Sequence, residues 1–433
     1  MSSIAPEFRL SRFIASLTDI IFWILLIFTI VGLPLVFIIL FYIKLPVING
    51  QLLTPYLAMT WMADPSRTLP IVKSLIHTEF FRIVAFPGFG FAALLAAATI
   101  FIERKFLAKL QLRVGPLYCG KVEGILQLMG DGLKLISKEI IIPAKADKPI
   151  FWIAPLLFVG TAAAFVSLIP VAPGWVVANP SVGLLAVFAT IGFFPIITIL
   201  SAWASNSKFP FIGGIRALHQ MISFEIPLIL SLLGIVILTG TLNITQIVES
   251  QAHYWWILFM PIGAIVFFIT IIAELERIPF DLPEAESEIV AGWLTELSGM
   301  MYGLIQLGTY LKLYAFAALF TLLFLGGWNG PMVWPPFPQD IITNGITIGP
   351  VTAHFPGLPL FDQEMLNGTL WFVIKTVIVI LAILLPRGVF PRIRIDMLLH
   401  TGWYKLIGFA FVNIFIALGL LYAGVLGPGG LIQ

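Results

Sequence analysis

Apolar residues fall in nine runs long enough to cross a bilayer, at about 17 to 45, 82 to 102, 151 to 171, 181 to 203, 222 to 241, 255 to 274, 299 to 326, 369 to 386 and 403 to 427. Each predicts a spanning helix. Between the second and third runs the pattern changes. In ERKFLAKLQLRVGP, Lys105, Lys109 and Arg113 recur every four residues and share one basic face if the helix continues, until Gly115 and Pro116 break it. Over 121 to 140, Ile125, Leu128, Met129, Leu135 and Ile136 alternate with Asp131, Lys134, Lys138 and Glu139. That spacing predicts an amphipathic helix on the membrane surface, over a cavity or against a soluble partner.

Composition agrees with the pattern. The 433 residues are 59% hydrophobic and 11% charged, with a mean hydropathy of +1.03. This is an all-α integral membrane protein, and soluble-domain counting does not apply to it. The first run is too long for a signal peptide and lacks a small-residue cleavage site, so it too reads as a spanning helix.

Charge sets the orientation. Most of the 24 lysines and arginines fall in alternate loops: Arg9 and Arg12, the stretch from 104 to 148, Lys208 and Arg216, Arg277, and Arg387, Arg392 and Arg394. The opposite loops hold only Arg67 and Lys73. The basic side is the inner one, which puts the C-terminus outside. The outer loop near 327 to 366 is rich in Pro, Gly and Trp and reads as a packed structural cap. A net charge of +2 without a basic stripe gives no argument for nucleic acid.

Seven acids gather at 274 to 296: Glu274, Glu276, Asp281, Glu284, Glu286, Glu288 and Glu296, with Arg277 among them. Charge beside a spanning segment is costly, and such a group points to a hydrated cavity, an ion pathway or a partner surface. Asp281 and Glu284 flanking Pro283 also read as a helix cap, with acids favoured by the macrodipole. That reading leaves Glu274 and Glu276 unexplained. Glu225 opens another apolar run with no basic residue within four positions, and reads either as a proton carrier or as an interfacial glutamate facing water.

Other chemistries are disfavoured. The lone Cys119 makes no internal disulfide and holds no iron-sulfur cluster or zinc, so any redox centre belongs to a partner or a diffusible molecule. His77, His219, His253, His354 and His400 lack metal-ligand spacing. No phosphate-cradling or dinucleotide-type glycine loop occurs.

The blocks ERKFLAKLQLRVGP, GILQLMGDGLKLISKE, SNSKFPFIGGIRALHQMISFEIPL, ELERIPFDLPEAESEIVAGWLTELSGM, GGW and PRIRID stand in the order found in the family of the H subunit of respiratory complex I, which the chain resembles from about residue 82 to 420. The resemblance implies an eight-helix core at 81 to 433. The segment 1 to 80 then adds an extra N-terminal helix and an outer loop. It further implies that the inner loops form the membrane side of a quinone chamber, with Glu103, Arg104, Arg113, Arg216, Arg277, Phe280 and Asp281 around the chamber or its mouth. Glu225, Glu274, Glu276, Asp281, Glu284, Glu286, Glu288 and Glu296 would form an acidic proton path, and Arg392 and Arg394 would be inner-loop arginines nearby.

The implied substrate is a quinone. No cofactor is covalently bound, and iron-sulfur clusters sit only in partner subunits. The implied partners are peripheral subunits of the B, C, D and I types, membrane subunits of the A, J, K, L, M and N types, and lipid. The implied location is an energy-transducing membrane, either the prokaryotic cell membrane or an organellar inner or thylakoid membrane. Nothing in the chain is catalytic alone, and nothing in it touches the electron donor, so ferredoxin or deazaflavin fits as well as NADH. Departures from the family pattern are Leu117, Met301, Met397 and Thr309, the last where many members have Glu before Tyr. Two alternatives stay open. A membrane anchor of an energy-converting hydrogenase or ferredoxin complex would share the acids without quinone. A stand-alone transporter would carry broken helices and an internal repeat, whereas the charges here gather in inner loops.

Overall fold

The computed structural model describes residues 47–48, 51–52, 79–119, 124, 126–331, 346–348, 351–353 and 363–424. The chain divides into two compact units, Met1–Ile76 and His77–Gln433. In the first, the described part is a two-stranded hairpin, Val47–Ile48 against Gln51–Leu52. The expected helix at 17 to 45 lies outside the described residues. So do most of the outer loop near 331 to 365, where a second small hairpin pairs Ile346–Ile348 with Val351–Ala353, and part of the stretch from 121 to 125.

The second unit is helical. Its main elements are α1 (Phe89–Leu110), α2 (Gln127–Ser137), α3 (Lys148–Ser167), α4 (Gly183–Ala204), α5 (Lys208–Thr239), α6 (Pro261–Glu274), α7 (Gly299–Phe324), α8 (Gln363–Val389) and α9 (Ile407–Tyr422). With short flanking turns, seven of these, all but α2 and α6, are long and apolar enough to cross a membrane. α6 is a shorter apolar helix of 14 residues, preceded by the short turn Trp256–Phe259, the two being separated at Met260 ahead of Pro261. Predicted boundaries shift where helices outrun their apolar stretch. α5 begins at Lys208 rather than near 222, with Pro210 in its first turns, where a missing N–H is tolerated.

α7 is the axis of the unit and its most enclosed helix. Phe316 meets Phe165 of α3 edge to face at 5.2 Å. Gly308 lets α7 close on the Phe158 ring, which a Cβ there would strike at 2.5 Å. Beyond its outer end, Lys375 of α8 donates to the carbonyls of Leu325, Gly327 and Asn329 at 2.7, 3.1 and 2.6 Å, placing a cation where the last carbonyls need donors. At its inner end, the Ile141 N–H donates to Ser298 Oγ at 2.8 Å. α2 turns Leu135 toward Gly303 of α7 and leaves Met129, Leu133 and Ile136 exposed. This is the expected amphipathic helix, starting at Gln127.

α5 is the second pillar, packed on α4, α6 and α9. Asn413 of α9 ties three helices together. It accepts from the Gly263 N–H at 3.0 Å and donates to the Ser231 carbonyl at 3.1 Å, deep in the bundle, where an apolar side chain would leave the first-turn Gly263 N–H orphaned.

Candidate functional site

The polar groups of the inner side converge on Glu103, two residues before Lys105 in α1. Its carboxylate is 2% exposed. It accepts from Arg277, in the loop after α6, at 2.7 Å and also from Arg387 of α8. The Arg277 guanidinium lies over the Tyr310 ring of α7, 5.2 Å from its centroid. Three helices and one loop are thus joined through a single buried carboxylate, its charge offset by two arginines.

Two adjoining cavities open around this knot, sharing Tyr310 and Arg387. One, of about 420 Å³, is lined by Glu103, Arg104, Arg113 and the Gly115–Pro116 break. The other, of about 270 Å³, is lined by Glu276, Arg277, Asp281, Glu284, Tyr302, Gln306 and Thr309. The first is a mouth with exposed arginines: Arg104 pairs with Asp131 of α2 at 2.5 Å, and Arg113 donates to Gln111 at 2.8 Å. The second is a half-enclosed acidic space.

Local backbone aims the acids. After α6 ends at Glu274, Glu276 takes a left-handed conformation (φ 52°), where glycine is usual, so a side chain is retained at a strained position. Burial, reinforced by the nearby Glu284 charge, pushes the Glu276 carboxyl up to about 8. Asp281 accepts from Arg392 at 2.9 Å. Burial still raises its carboxyl above the ordinary aspartate value, against that hydrogen bond and the Arg392, Arg387 and Arg277 charges. The cap reading of Asp281 and Glu284 fails: the short helix Glu286–Ile289 starts after Ala285, and no side chain caps it. Asp281 is drawn away by a long-range arginine instead.

The other expected residues stand apart. Arg216 pairs with Glu288 at 2.5 Å on the surface, and lines neither cavity. Phe280 is buried against Phe224, ring centroids 5.3 Å apart, and offers its carbonyl to Gln220, so it supports the loop from behind. Arg394 precedes the short helix Ile395–His400 at its N-cap position. Glu296 is half-buried beyond the turn Gly292–Leu294. The Glu286 side chain lies outside the described residues. Glu274 is 1% exposed, and Glu225 sits half-buried in α5 with Oε1 toward Gly192 of α4. Glu225 therefore approaches a neighbouring helix from a half-buried position.

Sequence reasoning misses Lys312, Tyr310 and Arg387 as parts of this region. Lys312, 2% exposed in α7, donates to Glu274. A lysine inside an apolar run is a visible signal by the same rule that singles out Glu225. Among the described residues, no three His, Cys, Asp or Glu side chains form a metal-binding group.

Known proteins resemble this chain over most of its length. The family model described as NADH dehydrogenase matches residues 84–418. A relative from Geobacillus sp. (strain WCH70), the H subunit of an NADH-quinone oxidoreductase, is 41% identical over 340 residues, covering 77% of this chain and 93% of the relative. The protein of the same name from Bacillus cytotoxicus is 41% identical over 353 residues, covering 80% and 97%. That from Bacillus anthracis is 40% identical over the same length.

Proposed function

We propose a function that starts from one fact: the chain belongs to the NADH dehydrogenase family, and within it to the H-type subunits of NADH-quinone oxidoreductases. It is a multi-pass membrane subunit of a proton-pumping oxidoreductase of the complex I kind, and other subunits of that complex are its partners. Its own part is to form the membrane side of the quinone chamber and to couple quinone reduction to proton movement. The observation that carries this reading is the pair of cavities sharing Tyr310 and Arg387, one rimmed by arginines and the other by acids.

Reduction of a quinone to a quinol takes two electrons and two protons. One cysteine in 433 residues cannot hold an iron-sulfur cluster, and in this reading the electrons come from centres in the partner subunits that close the chamber, as the family resemblance implies. Arg104 and Arg113 at the mouth and Arg277 between the cavities place positive charge beside the reduced headgroup. Each proton taken from the neighbouring acids changes the charge felt by Asp281, Glu276 and Glu284, and closely spaced carboxylates titrate together. Glu274 and Glu225 carry the change inward. Arg216 with Glu288, Arg394, Glu286 and Glu296 belong to the loops framing this region. Phe280 holds the Asp281 loop in place without touching the quinone. The chain is not catalytic alone, and residues 81 to 433 form the working core.

The test is a photoreactive quinone analogue applied to the native complex. Crosslinks are expected in 103–116 and 275–284, competed by excess quinone and weakened by Arg277→Met. Labelling confined to other subunits, with quinone reduction unaffected by Arg277→Met, would overturn the chamber assignment.

A further inference from the structure

Lys312 belongs to neither cavity, yet it is the most deeply enclosed cation whose contacts the structure describes. It lies near the middle of α7, roughly 20 Å from Gly299 at the helical rise. Its ammonium donates to the Glu274 backbone carbonyl at 2.6 Å and reaches Glu274 Oε2 at 3.3 Å, while the Phe194 ring of α4 covers it, 4.5 Å to the centroid.

The two contacts with Glu274 are unequal. The carbonyl is the last of α6, the negative end of that helix, and holds the ammonium at a short distance. The carboxylate is held loosely: 3.3 Å is long for a charge-assisted bond, which runs to about 2.9 Å, and its second oxygen, Oε1, is buried with no partner. The cation is therefore anchored on backbone, and no hydrogen bond fixes the second oxygen of the anion beside it. A pair serving stability alone would close both oxygens, and buried pairs give little net stability over apolar side chains of the same volume.

Two further carboxyls lie within electrostatic range of the same ammonium. Glu225 reaches it from α5, its Oε1 against Gly192 on the helix that also carries Phe194. Glu276, two residues beyond Glu274, feels its charge without a direct bond to it. Lys312 stands about one turn beyond Thr309, which lines the acidic cavity.

We propose that Lys312 is the fixed counter-cation of the proton path, and that the Glu274 carboxylate turns against it to pass protons between Glu276 and Glu225. This deepens the function proposed above and rests on its reading of the acids as a proton path. A proton leaves the Glu276 carboxyl for Oε1 of Glu274, and in the next step leaves Glu274 for the Glu225 carboxylate. Lys312 remains an ammonium throughout, and no electrons move. Lys312 is a positioning residue: it keeps a negative charge available at Glu274 where the membrane interior would otherwise expel it.

The experiment uses the native complex in sealed vesicles and reads protons translocated per quinone reduced, a ratio unaffected by how many complexes assemble. Lys312→Met is expected to lower that ratio roughly tenfold, within the usual span of coupling energies. Where Lys312→Met fails to assemble, the neutral pair Lys312→Met with Glu274→Gln keeps the buried charge balanced, and its ratio is expected to stay low. A parental ratio in the neutral pair would make the pair purely structural and overturn the proposal. Glu225→Gln separates the two levels. If it pumps normally, the acidic-path reading fails and this role fails with it. If it stops pumping while Lys312→Met pumps normally, the path stands and the role of Lys312 alone falls.

Discussion

Glu276 shows how a single side chain joins backbone, burial and charge. A solvated glutamate has a value near 4.5, whereas this one is held protonated up to about 8. Between those two values the folded protein keeps a proton that the unfolded chain has lost, so stability falls as pH rises through that window. Glu276→Gln cannot ionise and should flatten the fall. Its melting temperature in detergent is expected to match the parent's on the acid side of the window and exceed it on the alkaline side. Identical alkaline melting would show that Glu276 is solvated. Glu103 is held differently, as a buried carboxylate that accepts from both Arg277 and Arg387. Glu103→Ala leaves both guanidiniums without their common acceptor and should destabilise by about 3 kcal/mol, the low end for a broken buried pair because Arg387 is 38% exposed. Adding Arg277→Met should recover part of that loss in denaturation.

At the scale of elements, α6 and α7 explain which features can be read from sequence. The apolar runs mark both helices, and the acid group after α6 stands out from its local density alone. What local spacing cannot carry is the partner. Glu103 and Arg277 are 174 residues apart, Asp281 and Arg392 are 111 apart, and the cap pattern around Pro283 misleads because a distant arginine competes for Asp281. Helix starts are misplaced where polar turns extend a helix past its apolar stretch, as at Lys208. Lys312 is legible as an oddity, but its attachment to the carbonyl end of α6 is a tertiary fact. The junction of α5, α6 and α9 offers a clean test of such facts. Asn413→Ala orphans the buried Gly263 N–H and removes a second bond from the Ser231 carbonyl, and should cost about 1–3 kcal/mol in the thermal stability of the complex without altering quinone affinity.

Across the whole molecule, orientation follows from the loops. The two cavities and the single cysteine lie at the end of the helices where most of the basic loop residues gather, the end that the charge bias makes the inner one. In vesicles stripped of peripheral subunits, a membrane-impermeant maleimide should label half-buried Cys119 only when the inner face is turned outward. Labelling from the opposite face would invert the topology. The enclosed α7 carries a further consequence, for how the protein is made. A helix bearing a lysine at its middle enters the bilayer at an added cost of about 3 kcal/mol when it inserts alone. Chain order can offset this cost: Glu274 precedes Lys312 by 38 residues, so the carboxylate and its carbonyl are made before the lysine that they receive. α6 and α7 are therefore expected to enter the membrane as a pair, the first holding the counter-charge of the second.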